Sequence, residues 1–88
     1  MKHAGHDALD QLTDMLLRLR EVAVLKERSP GVFYRSGKAF LHFHEDPTGL
    51  YADLRRADTF ERFAVNTASE RKELVCVVRD VLENSIDR

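Results

Sequence analysis

Two histidines separated by one residue are the part of this sequence whose types and spacing could do chemistry. His42 and His44 lie in a segment where apolar and polar residues alternate. This alternation predicts a β-strand, in which residues i and i+2 point to the same face. Two imidazoles on one face can supply two ligands to zinc or to another borderline metal. Metal binding on one face of a sheet is therefore one hypothesis that the sequence raises.

The elements that must position these histidines are consecutive antiparallel strands. Ser36-Gly37 predicts a two-residue hairpin turn before the histidine strand. Residues 46–49, with the sequence DPTG, predict a turn after it, because proline fixes φ and glycine accepts positive φ. A looser turn at residues 56–59 leads into a fourth strand.

The turn positions also predict which residues lie opposite one another. Asp53 is expected between His42 and Arg62, where its carboxylate can contact both and favour a protonated His42. In that position Asp53 either orients His42 or serves as a third metal ligand. His3 and His6 lie in a segment that is expected to fray, so both are predicted to be solvated. The predicted metal ligands are His42, His44 and Asp53.

The same register separates the sheet into two faces. Closing the first hairpin places Phe33 opposite Phe40, and the next two strands add Arg55 and Phe60 to the same row. This outer face carries aromatic and basic side chains, which are typical of partner contacts and of single-stranded nucleic-acid platforms. The predicted partner or nucleic-acid surface comprises Phe33, Arg35, Lys38, Phe40, Tyr51, Arg55, Phe60 and Arg62.

Two amphipathic helices flank the predicted strands. Apolar residues recur at spacings of three and four from about Ala8 to Leu25. A capping box that begins at Thr67 predicts a second helix that extends to Ile86. The sequence therefore predicts one α+β domain over residues 1–88: a helix, a four-stranded antiparallel meander and a helix, with both helices packed on one sheet face.

Composition excludes several classes of function. The chain has 88 residues, of which 43% are hydrophobic and 33% charged, as expected of a small globular domain. Its net charge of −1 gives no general attraction to nucleic acid or to anionic membranes, so such binding needs a local patch. No apolar run approaches the roughly 20 residues of a membrane-spanning helix. A single cysteine, Cys76, cannot form an internal disulfide, and we expect a cytoplasmic protein.

No catalytic constellation is evident in the sequence. Ser36 lies in a turn without a positioned base, and Cys76 lies among helical valines, where an inert buried thiol is expected. The glycines of the central segment are each explained by a turn rather than by a phosphate-binding loop. We therefore expect a protein that is not an enzyme and that needs no cofactor.

The central hairpin resembles that of the MmcQ/YjbR-like proteins. The residues that carry the resemblance are Pro30-Gly31, Gly37-Lys38-Ala39-Phe40, His44-Glu45-Asp46, Gly49-Leu50 and Leu54-Arg55. The resemblance covers residues 30–55 and implies a CyaY-like α+β fold, with terminal helices on one side of an antiparallel sheet. It also implies a DNA-binding surface, in which Lys38 matches the lysine of the family's hairpin.

Three hypotheses about function follow from these patterns. The leading one is a small binding protein that uses the outer sheet face for partner contact, most simply as a symmetric homodimer. The alternatives are nucleic-acid binding through the basic and aromatic side chains of that face, and metal binding at His42 and His44.

Overall fold

An antiparallel sheet and three helices make up the structure, a computed structural model that describes residues 2–85. In chain order the elements are β1 (Lys2–His3), α1 (His6–Gln11), α2 (Thr13–Arg20), β2 (Leu25–Ser29), β3 (Val32–Arg35), β4 (Lys38–Asp46), β5 (Gly49–Arg56), β6 (Thr59–Ala64) and α3 (Ala68–Ser85). Strands β2 to β6 follow one another across the sheet, and β1 also pairs with β4. The predicted α+β class is confirmed, whereas the sheet has two more strands than predicted.

The N-terminal helical region is shorter than predicted. It is interrupted at Leu12, which separates α1 from α2, and it ends at Arg20. Leu25 does not continue the helix but begins β2, an edge strand that pairs with β3. Both leucines are nevertheless buried. The apolar spacing was misleading because a strand residue and a helix residue can both point into the same core.

The register of β4, β5 and β6 is as predicted. Leu41 lies opposite Leu54, and His42 lies opposite Asp53, which in turn lies opposite Arg62. Each of these pairs follows from the position of a turn, since the side-chain period of a strand is two. The regular part of the sheet therefore places its histidines where the sequence indicated.

A β-bulge between β3 and β4 overturns the predicted pairing of Phe33 with Phe40, while the predicted pairing next to the turn is kept. Phe33 lies opposite Leu41 and Tyr34 lies opposite Ala39, so that Phe40 is the extra residue. Phe33 is 1% exposed and Phe40 is 3% exposed, and both belong to the main hydrophobic core. The prediction that these two phenylalanines form an exposed aromatic row is therefore wrong.

The helices and one sheet face share this core. The largest fully buried side chains are Phe33, Phe43, Leu12, Leu19, Leu41, Leu54, Leu74, Val65 and Val78. Helix α2 contacts α3 and β2, and α3 also contacts β6. The sheet is thereby left with an opposite face on which polar side chains can collect.

Helix α3 begins with the predicted capping box. The Glu70 backbone N–H donates to Thr67 Oγ1 at 3.1 Å, and the Thr67 N–H donates to Glu70 Oε1 at 3.1 Å. The predicted end at Ile86 lies outside the described residues. Cys76 in this helix is exposed, so the prediction of a buried thiol is wrong. Within residues 2–85, no helix is both long and apolar enough to span a bilayer.

Candidate metal centre

The histidines converge because β1 pairs with the second half of β4. His42 and His44 project from β4, and β1 pairs with the same strand so that His3 lies opposite His44. The Ala4 N–H donates to the Phe43 carbonyl oxygen at 3.0 Å, which fixes the end of β1. Three imidazoles from two separate segments therefore meet on the outer sheet face.

The three rings are close enough to share one ion. Ring centroids are 4.9 Å apart for His3 and His44, 4.8 Å for His42 and His44, and 5.7 Å for His3 and His42. One nitrogen from each ring lies within 4.8 Å of the nitrogens of the other two. Zn–N bonds of about 2.0–2.1 Å in a tetrahedron require about 3.3 Å between ligand atoms. Small rotations of the rings would close the remaining difference.

His3 is solvent-exposed as predicted, but its segment is not frayed, because it forms β1 and pairs with β4. The His3 side chain is exposed, yet its ring packs against His42 and His44. A two-residue strand carries too little pattern to be recognised in a sequence, so the position of His3 beside the other two histidines was not predicted. The other histidine of that segment, His6, lies on α1 with Nε2 3.6 Å from an Asp10 carboxylate oxygen, and is not part of the cluster.

Asp53 connects the histidines to a fixed positive charge. Arg62 donates from Nε to Asp53 Oδ1 at 2.8 Å and from Nη2 to Oδ2 at 2.9 Å, as the predicted register implied. The histidine partner differs from the prediction: Oδ2 lies 3.1 Å from Nε2 of His44 rather than against His42. Asp53 is 7% exposed, so this two-point contact is shielded from water on one side.

His44 Nε2 faces a carboxylate oxygen and an imidazole nitrogen. It lies 3.1 Å from the Asp53 carboxylate and 2.9 Å from His42 Nδ1. A carboxylate can only accept, so it favours the tautomer with a proton on Nε2. The other ring nitrogen, His44 Nδ1, is buried and has no hydrogen-bond partner within residues 2–85. A buried nitrogen left unsatisfied is uncommon in a site whose role is only structural.

The charges of the cluster suit a ligand that is itself a cation. The Arg62 hydrogen bonds hold the pKa of Asp53 below its usual value, so the carboxylate is ionised at neutral pH. Burial, followed by the neighbouring His44, lowers the pKa of His42. Asp53 favours a protonated His42, as predicted, but burial outweighs this effect and the pKa of His42 is lowered. A neutral imidazole is the form that binds metals.

An aromatic side chain and an arginine lie next to the histidines. The ring of Phe60 lies 4.9 Å from that of His42, and the Arg55 guanidinium carbon lies 4.7 Å from the Phe60 ring centroid. Phe60 is 40% exposed and is the one member of the predicted aromatic row that stays at the surface. Self-association through this face stays a prediction, and comparing the sedimentation of a Phe60→Asp variant with that of the wild type tests it.

The remaining predicted surface residues fall into two places. Tyr51 lies beside the histidines on β5, opposite His44, with its hydroxyl 2.7 Å from Thr48 Oγ1. Arg35 and Lys38 lie at the far end of the sheet, on either side of the first hairpin turn. The predicted continuous surface is thus divided into a histidine cluster and a basic hairpin end.

Comparison with protein-family models, with curated proteins and with solved structures found no match to this chain. The resemblance of residues 30–55 to the MmcQ/YjbR-like proteins accordingly stays a prediction. The fold and the site define a small α+β sheet protein whose outer face holds a cluster of three histidines backed by an arginine-bound carboxylate.

Proposed function

We propose that this protein binds a divalent transition metal of the zinc type through His3, His42 and His44. The observation that carries the proposal is the convergence of three imidazoles, with nitrogens within 4.8 Å of one another, on one sheet face. Imidazole suits zinc, copper, nickel and cobalt, whereas magnesium and calcium prefer oxygen ligands.

Asp53 and Arg62 support this role from outside the three rings. Metal-ligating histidines usually donate their second ring N–H to a carboxylate or a carbonyl, which fixes the ring and raises its basicity. Asp53 stands in that position relative to His44, at 3.1 Å from Nε2. Arg62 keeps the carboxylate ionised and restricts its rotation through two hydrogen bonds. The site therefore has an orienting shell before any metal arrives.

A bound ion would also add a link between β1 and β4. His3 belongs to β1, while the other two ligands belong to β4, so the metal would link residues far apart in sequence. A ligand that binds only the folded state adds about 2.7 kcal/mol of stability at a hundredfold excess over its dissociation constant. For a small domain of modest stability, that is a large contribution.

Metal titration of matched histidine variants tests the proposal. Zinc affinity is measured by calorimetry, and cobalt binding is followed by its visible absorption. The double variant His42→Ala, His44→Ala is expected to lose zinc affinity on the order of 100-fold or more, since each ligand carries a share of a binding energy of about 10–16 kcal/mol. His3→Ala is expected to lose less, because two ligands remain.

His6→Ala is the control, because it removes an exposed histidine from α1 without touching the cluster. Its zinc affinity is expected to equal that of the wild type. An unchanged affinity in the double variant, or an equal loss in His6→Ala, would contradict the site.

A further inference from the structure

A second feature of the molecule, distant in chemistry from the histidines, is an open cavity of about 330 Å³ at the end of the first hairpin. Three cationic side chains line it, from Arg35, Lys38 and Arg55, together with Phe40 at its apolar part. Its lining, as far as the described residues show, includes no carboxylate. The cavity is therefore a local concentration of positive charge on a chain whose net charge is −1.

The hairpin turn brings two of these charges together. Ser36 and Gly37 have φ values of 52° and 81°, which is the left-handed backbone of a tight two-residue turn. This turn places Arg35 directly opposite Lys38. Like charges directly opposite one another destabilise a strand pair. Neither side chain has an ion-pair partner among residues 2–85, so the repulsion is not relieved within the described part of the chain.

Three other arginines, on the sheet or next to it, form ion pairs with carboxylates. Arg20 pairs with Glu27, Arg56 with Glu61 and Arg62 with Asp53. Arg35, Lys38 and Arg55 differ from these three arginines, because none of them has an ion-pair partner among residues 2–85. An external anion would supply the missing partner.

The third cation is already held in place. Arg55 donates from Nε to the Ala39 carbonyl oxygen at 2.7 Å, and its guanidinium lies over the Phe60 ring. The Arg35 guanidinium carbon lies 5.8 Å from the Phe40 ring centroid, so this side chain also rests on an aromatic surface. Side chains that are ordered before binding lose less entropy when a ligand arrives.

We propose that this cavity binds the phosphate oxygens of a ligand that carries two or more negative charges. A guanidinium group can donate two parallel hydrogen bonds to two phosphate oxygens, and an ammonium group adds a point charge. The phosphate can belong to a phosphorylated small molecule or to a nucleic-acid backbone, which share this chemistry. The proposal is independent of the metal site, because the two sites attract ligands of opposite charge.

Calorimetric titration of the metal-free protein with three probes tests the proposal: inorganic pyrophosphate, ATP without magnesium, and a short oligothymidylate. The double variant Arg35→Gln, Lys38→Gln is expected to weaken binding of the tightest probe by about tenfold or more, because two of the three cations are lost. The control Arg18→Gln, Lys72→Gln removes the same charge from two exposed side chains of the groove between the helices, which also contains Asp14. The affinity of this control variant for the same probe is expected to change by less than about twofold.

The probes separate the two sources of phosphate. Binding of pyrophosphate or ATP as tightly as the oligothymidylate assigns the site to a small molecule. Tighter binding of the oligothymidylate assigns the site to a nucleic-acid backbone, provided that the binding constant falls steeply with salt. The expected slope of log binding constant against log salt concentration is about −2 or steeper between about 50 and 200 mM salt. Failure of all three probes to bind at low salt overturns the proposal, as does an equal loss in both double variants. Thermal unfolding followed by circular dichroism confirms that each variant is folded before its binding is compared.

Discussion

The two halves of β4 carry opposite chemistry within one strand. In the half with regular pairing, His42 and His44 present imidazoles next to the ionised Asp53. In the bulged half, Lys38 lies opposite Arg35 with no acidic partner in the described part of the chain, and Phe40 turns into the core. A strand of alternating residues therefore holds lone-pair donors for a cation at one end and fixed positive charge for an anion at the other.

The bulge is the physical cause of this difference. Where pairing is regular, residues of three strands line up in rows, and a carboxylate can stand beside an imidazole. Where an extra residue is inserted, the rows shift, and an aromatic side chain leaves the outer face. The chemistry that each half presents thus follows from local register as much as from residue type.

Phe40→Ala tests this comparison with the largest expected effect. Phe40 is 3% exposed, so truncating it should cost about 3–5 kcal/mol of unfolding free energy, as for other buried phenylalanines. Phe60→Ala is the matched control. Because Phe60 is 40% exposed, truncating it should lower the free energy of unfolding by less than about 1 kcal/mol. Urea denaturation of the three proteins measures both values. Equal losses would mean that the bulge does not bury Phe40.

Asp53→Asn tests the other half of the strand. The substitution keeps the shape of the side chain but removes the charge that orients His44, so zinc affinity should fall about 10–100-fold. Glu27→Gln is the matched control, since Glu27 accepts two hydrogen bonds from Arg20 in a similar contact away from the histidines. Calorimetric titration should find its zinc affinity unchanged. An unaltered affinity in Asp53→Asn would show that the carboxylate plays no part in the site.

The sequence predicted the regular half well, for a physical reason. Two turns fix where β4, β5 and β6 pair, and a period of two then assigns every side chain, including the contact between Asp53 and Arg62. The bulge at Phe40 leaves no such signal, because one inserted residue does not alter the turn that precedes it. His3 was missed because β1 is held by pairing with β4 rather than by any pattern of its own. The choice of His44 over His42 by Asp53 depends on side-chain rotation, which register does not determine.

The smallest expected effect is a pH dependence that arises in the regular half. Since burial lowers the pKa of His42 in the folded protein, the unfolded chain binds a proton there more readily than the folded one. Stability therefore rises with pH in this range: the His42 contribution is present above about pH 6.5 and is lost as pH falls through the lowered folded pKa. Chemical denaturation with a chelator present, at about pH 7.5 and about pH 5.5, should show this loss. In a His42→Gln variant the loss should be smaller than in the wild type, whereas His6→Gln, which lies outside the cluster, should keep the full loss. A wild type and a His42→Gln variant with the same pH dependence would mean that the folded protein does not hold this imidazole neutral, and the regular half would then lack the feature that distinguishes it from the cationic end of the strand.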